Sequence, residues 1–223
     1  MRRKISKLEA SRRKGENQTD DQRANILDAA EKLFLEKGLE NTNMTDIAAE
    51  AGINRVSLYR YFPDRHPIAF EIAVRMMKQI AESVNPGIGN SNLELYRKSM
   101  ITAINQFYQL RDAYRFLGMF DHLYGASYPN EQLAVWYREQ LLALAPGLGI
   151  VDIQDETSDI AAEQMAMIGN CVMSSLQKTA VRGDLMAEEQ GVSLDAQLGL
   201  FREMINVYFD HLAAVNQPRL VES

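Results

Sequence analysis

The sequence predicts an all-α chain, and three observations carry that prediction. Apolar residues recur at spacings of three and four along most of the chain, and no stretch holds the sustained alternation of a half-buried strand. Helix-capping residues stand ahead of the apolar runs at Thr19, Asn43, Asn54, Asp64 and Ser91. The composition is ordinary for a globular protein, with 223 residues of which 46% are hydrophobic and 24% charged, so a core can form without metals or disulfides.

The elements follow in order. Thr19 and Gln22 form a capping box ahead of Ile26, Leu27, Ala30, Leu33 and Phe34, which predicts a helix over about 20–37, closed by Gly38. Asn43 caps a short helix carrying Ile47, Ala48 and Ala51, stopped at Gly52. Asn54 caps a second short helix carrying Leu58 and Phe62. Asp64 opens a longer helix to about Val84, with Pro67 tolerated in its first turn. Residues 85–90 read as a loop, and Ser91 with Glu94 opens a helix to about Asp112 or Ala113. Helices near 114–125 and 129–144, a loop over 146–155, and two long helices over about 157–182 and 193–215 complete the chain.

Charge is uneven. Residues 1–23 carry eight basic side chains, among them Arg2, Arg3, Lys4, Lys7, Arg12, Arg13 and Lys14, against four acidic ones, whereas the whole chain has a net charge of −6. A positive head on a negative body favours a polyanionic partner at the head. Residues 1–18 are expected to be a flexible basic arm, ahead of a small helical domain over 19–63 and a larger helical domain over 64–223. No run is long and apolar enough to span a bilayer, and no apolar segment follows the basic start, so no membrane partner and a cytoplasmic protein are expected. The single cysteine, Cys171, reads as a small buried hydrophobe, and His66, His122 and His211 lie too far apart for a metal site. No nucleophile elbow, phosphate-cradling glycine loop or close carboxylate pair is present, so neither catalysis nor a cofactor is expected.

Two short helices joined by Gly52, Ile53 and Asn54 form a helix-turn-helix, whose second helix lies in the DNA major groove. Its outward positions fit that use. Arg55, Ser57, Tyr59, Arg60, Tyr61 and Arg65 supply donors within a few residues, and the N–H groups following Asn54 are available for capping or for phosphate. Leu58, Tyr59, Tyr61 and Phe62 cannot share one narrow stripe, so Tyr59 and Tyr61 are expected to face outward.

At this point the residues resemble a known family. Arg23, Ile26, Leu27, Ala29, Ala30, Leu33, Phe34, Gly38, Thr42, Met44, Ile47, Ala48, Ala51, Gly52, Ile53 and the run Leu58 to Phe62 resemble the N-terminal signature of the TetR family of transcriptional regulators. The resemblance covers about 22–68. It implies phosphate contacts from Asn43, Tyr59, Tyr61 and Arg65, and base-edge contacts from Arg55, Val56, Ser57 and Arg60. Three positions depart from the family pattern, which has Ser or Thr at Asn43, Gly at Val56 and Lys at Arg65. Val56 is the consequential one, because a β-branched side chain there either touches a thymine methyl or holds the helix further from the bases.

The middle helices carry many methionines and aromatics. Met77, Tyr96, Met100, Phe107, Phe116, Met119, Phe120 and Trp136 are expected to line an adaptable pocket for a small hydrophobic or aromatic effector, oriented by groups such as Tyr96, Tyr108, His122 or Gln106. In the last helix Leu194, Leu198, Phe201, Ile205, Tyr208, Leu212 and Val215 form a heptad seam, and Met165, Ile168 and Val172 a second stripe, so a homodimer through the two C-terminal helices is expected. The reading is a ligand-responsive regulator, a repressor, binding a near-palindromic operator in double-stranded DNA as a dimer. Its alternatives are a ligand-independent architectural protein of the same fold, or a helical carrier or enzyme.

Overall fold

The computed structural model describes residues 7–84, 93–144 and 162–215. Among them the secondary structure is helical, without strands: α1 (Lys7–Lys37), α2 (Met44–Glu50), α3 (Arg55–Tyr61), α4 (Arg65–Val84), α5 (Leu93–Asn105), α6 (Phe107–Tyr124), α7 (Glu131–Leu144), α8 (Ala162–Gln190) and α9 (Leu194–Val215). By internal packing the chain divides into Met1–Ile72 and Ala73–Ser223. The division falls inside α4, later than the expected boundary at 63. Ile68, Phe70 and Ile72 are fully buried, and Arg65 and Glu71 bond to residues earlier in the chain, which ties the first turns of α4 to the N-terminal unit.

The N-terminal unit is built on α1. Ile26, Ala30 and Phe34 are fully buried on one face of it, as are Ile47 of α2, Leu58 of α3 and Phe62 just beyond α3. Burying the Ile, Leu and Phe side chains among them contributes about 1.5–3 kcal/mol each relative to leaving them exposed. α1 starts at Lys7 rather than near 20, so Thr19 lies within a continuous helix and is not its N-cap. The expected flexible arm is therefore helical over 7–18, while residues 1–6, with Arg2, Arg3 and Lys4, lie outside the described residues. Gly38 ends α1 at a φ of 86°, which a side chain would strain.

In the C-terminal unit α6 lies along α8 and α5 along α9. Gly118 permits the first approach, since a Cβ there would sit 3.1 Å from Val181 Cγ2. The expected helix to about 112 instead breaks at Gln106, which leaves helical geometry at φ −91° and ψ 11°. No Gly, Pro or capping side chain marks the break. Backbone bonds continue on either side of it, from Gln106 N–H to Thr102 O at 2.9 Å and from Leu110 N–H to Gln106 O at 3.0 Å. α6 therefore presents Phe107, Leu110, Tyr114 and Leu117 as one buried stripe. α8 also runs past the expected end at 182, through Gly183, to a stop at Gly191 with φ 67°. Gly183 is no stop signal but a site of close approach, where a Cβ would meet Leu194 Cδ1 at 2.8 Å. The expected loops at 85–90 and 146–155, and the cap at Ser91, lie outside the described residues.

Candidate nucleic-acid interface

α2 and α3 are short and depend on their caps. Asn43 Oδ1 accepts from the N–H groups of Thr45 and Asp46, and the Asp46 carboxylate accepts in return from the Asn43 N–H, closing a reciprocal capping box. Asn54 Oδ1 accepts from Ser57 N–H at 2.8 Å. Between the helices Gly52 takes φ 66°, and Ile53 N–H reaches back to Ala48 O at 3.0 Å. α1 holds this turn through Asn25, whose Nδ2 donates to Ala51 O at 2.8 Å. Lys32 pairs with Glu50, which raises the pKa of the lysine.

Two arginines fix the frame from inside. Arg23 lies over the Phe62 ring with its guanidinium carbon 4.2 Å from the centroid, ion-pairs with Glu71, and donates to Tyr61 O at the end of α3. A cation at the end of a helix also favours its dipole. Arg65 Nη1 donates to Leu39 O, Glu40 O and Thr42 O at 3.0, 2.9 and 3.2 Å, gathering the α1–α2 connection. Thr42 is fully buried, with Oγ1 donating to Gly38 O at 2.9 Å. Sequence reasoning missed the inward roles of Arg23 and Arg65. A cation near a helix-turn-helix reads as a DNA contact, and nothing local signals that carbonyl oxygens distant in sequence surround it.

The outward face of α3 carries Arg55, Val56, Tyr59 and Arg60, all exposed, with Ser57 and Tyr61 half-buried and Leu58 turned into the core. Tyr59 thus faces outward as expected and Phe62 is buried, whereas Tyr61, also expected outward, is half-buried. Arg55 Nη2 donates to Tyr59 Oη at 2.9 Å, so this cation is held along the helix surface by the aromatic one turn on. Asn43 and Asn54 are exposed beside this face, and Arg65 is half-buried. The side chains of Lys7, Arg12, Arg13 and Lys14 lie outside the described ones.

The residues expected to line an effector pocket divide by burial. Tyr96, Met100, Phe107, Phe116 and Phe120 are buried, while Met77, Met119 and Trp136 are half-buried. Burial raises the Tyr96 pKa to about 12. Of the expected orienting groups, Tyr108 and His122 are exposed, Tyr108 bonding Asp195 at 2.7 Å, and Gln106 is half-buried at the helix break. The sequence reading passed over Tyr114, whose buried hydroxyl has no partner among the described residues. Its spacing of seven from Phe107 was the available signal, hidden by placing a helix end at 112.

The expected heptad seam is corrected in part. Leu198, Ile205 and Leu212 are buried within the unit, joined by Phe209, which the seam omitted. Tyr208 and Val215 of the seam stay exposed, and with Leu200, Met204 and Val207 they form an exposed apolar stripe along α9. With Met167 and Cys171 of α8 part of this stripe borders an open groove of about 1070 Å³. Cys171 is exposed, not buried, because the inner face of α8 is Ile168, Val172, Leu176 and Ala180. Among the described residues no cluster of His, Cys, Asp or Glu could hold a metal, and no helix is long and apolar enough to cross a membrane.

Residues 26–72 match the family described as bacterial regulatory proteins, tetR family. An HTH-type transcriptional regulator of Staphylococcus aureus is 42% identical over 55 residues, 25% of this chain and 30% of its own. Another from the same species is 33% identical over 87 residues, 36% of this chain and 44% of its own. The chain thus spans less than half the length of these curated relatives. A solved TetR-family regulator from Syntrophomonas wolfei shares the fold at a TM-score of 0.55 and 19% identity, over 92% of this chain and 100% of that one. One from Marinobacter aquaeolei does so at 0.54 and 16%, over 75% and 87%. The helix-turn-helix, its caps and its clamping arginines thus lie in and around a segment that matches the tetR family of bacterial regulatory proteins, and the chain as a whole shares the fold of solved TetR-family regulators.

Proposed function

We propose that this protein is a cytoplasmic transcriptional repressor that binds a near-palindromic operator as a homodimer and leaves it when a small hydrophobic or aromatic effector binds the C-terminal unit. The observation that carries the reading is the chemistry of α3, which buries Leu58 and leaves two arginines and a tyrosine hydroxyl on its exposed face. Such a face suits phosphates and base edges and has no use in the protein's own core. In this reading Asn43, Asn54, Tyr59, Tyr61 and Arg65 sit at the backbone, and Arg55, Val56, Ser57 and Arg60 at the bases.

The exposed apolar stripe of α9 beside α8 supports assembly with a second copy, which would place two α3 helices on one duplex. The buried aromatics Tyr96, Phe107, Phe116 and Phe120, with a Tyr114 hydroxyl that has no partner among the described residues, support an apolar effector oriented by one or two polar groups. Selection from a random duplex pool tests the reading. The expected product is a near-palindrome with half-sites about one helical turn apart. Recovery of no preferred sequence overturns sequence-specific regulation, and preferred DNA that no hydrophobic compound releases favours a ligand-independent protein of the same fold.

A further inference from the structure

Val56 is 76% exposed, and among the described side chains of the N-terminal unit it is the one large aliphatic left in solvent. Neither folding nor helix formation accounts for it, since exposure forgoes burial and a β-branched residue is a weaker helix former than Ala. Its surroundings are polar. Arg55 precedes it, and Tyr59 and Arg60 lie three and four residues on, the spacing that makes neighbours on a helix surface. Arg55 is not free to swing over Val56, because its Nη2 donates to Tyr59 Oη at 2.9 Å and its guanidinium carbon lies 5.3 Å from the Tyr59 ring centroid. The result is two methyl groups framed by hydrogen-bond donors.

The complement of such a face is an apolar spot framed by acceptors. In the major groove the thymine C5 methyl is the apolar group among the base edges, and guanine N7 and O6 form the acceptor pair that suits a guanidinium. We infer that Val56 is a specificity-determining residue that reads a thymine methyl, within one or two base pairs of a guanine read by Arg55. The inference rests on the DNA-binding reading above and deepens it by naming the chemistry of part of the half-site.

The test uses the full-length protein and its selected duplex. Each thymine of a half-site is replaced in turn by deoxyuridine, which removes the C5 methyl and leaves every hydrogen-bonding group. Wild type is expected to lose about fourfold in affinity at one position and to be indifferent at the others, a size set by the burial of a single methyl group. Val56→Ala should bind the unmodified duplex about as weakly as wild type binds the uracil duplex, and should no longer distinguish thymine from uracil there. Its melting temperature should hold, since the side chain touches solvent. Equal wild-type affinity for all uracil duplexes overturns the inference, as does full uracil sensitivity retained in Val56→Ala, and both leave DNA binding standing. A protein that selects no duplex overturns the sequence-specific reading itself, and the inference with it.

Discussion

α3 and α9 each bury one side and expose the other, and their exposed sides have opposite chemistry. On α3 the outward residues are Arg55, Val56, Tyr59 and Arg60, whereas on α9 they are Leu200, Met204, Val207, Tyr208 and Val215. The first face gains most from a partner that supplies acceptors and negative charge, and its binding weakens with salt. The second gains most from a partner that removes apolar surface from water, and salt affects it little. A helix surface therefore states which kind of partner it suits before any partner is known.

The largest effect is expected from giving α9 the character of α3. Met204→Glu with Val207→Glu would place charges where the apolar stripe meets a second copy, and an unpaired buried charge costs about 3–5 kcal/mol. If the proposed dimer forms through this stripe, sedimentation velocity should then find monomers at concentrations where wild type sediments as a dimer, with DNA affinity falling in step. Because both side chains are exposed, the melting temperature of the monomer should change little.

Next come the two inward arginines. Arg23→Ala removes the bond to Tyr61 O, the pair with Glu71 and the stack on Phe62, while Arg65→Ala leaves three carbonyls without their shared donor. Each should cost about 1.5–3 kcal/mol, read as a lower urea midpoint. Arg65→Lys separates the two uses of that residue. A point charge can serve a phosphate but cannot reproduce the fixed guanidinium geometry, so DNA binding should survive better than stability.

On α3 itself, Arg55→Ala should cost about 1–3 kcal/mol on the preferred duplex and much less on random DNA. Every phosphate that a side chain ceases to neutralise reduces the slope of log affinity against log salt by about 0.9. Deleting residues 1–16 should therefore flatten that slope if the arm reaches DNA, whereas the α9 variant, compared at equal dimer concentration, should leave it unchanged. The smallest effect belongs to the cap of α3. Asn54→Ala removes the acceptor for Ser57 N–H and should lower stability by about 1 kcal/mol, measured by thermal melting.

The N-terminal unit was the more legible of the two because its signals are local. Asn43, Gly52 and Asn54 act on backbone within a few residues of themselves, and the structure places each where its chemistry requires. The C-terminal unit yielded less. Gln106 breaks a helix without any residue that breaks helices, and beyond it the packing changes from α5 on α9 to α6 on α8, which the run of residues does not announce. The α9 seam is divided, with Leu198, Ile205 and Leu212 buried and Tyr208 and Val215 exposed, for a related reason. Heptad spacing fits Leu198, Ile205 and Leu212 whether they meet a neighbour in the same chain or in another, and periodicity alone does not distinguish the two. The start of α1 was misplaced because a capping box can form only where a helix begins, and Thr19 and Gln22 lie within one.

The exposure of Cys171 gives the molecule a built-in chemical reporter. It is the chain's single thiol, and it lies on the rim of the groove between α8 and α9. A thiol-reactive dye therefore attaches at one place on each chain, and its rate of attachment measures how much of the time that place is open. If a second copy covers the groove, dilution should speed the labelling, and the concentration at which the rate turns over is the dissociation constant of the pair.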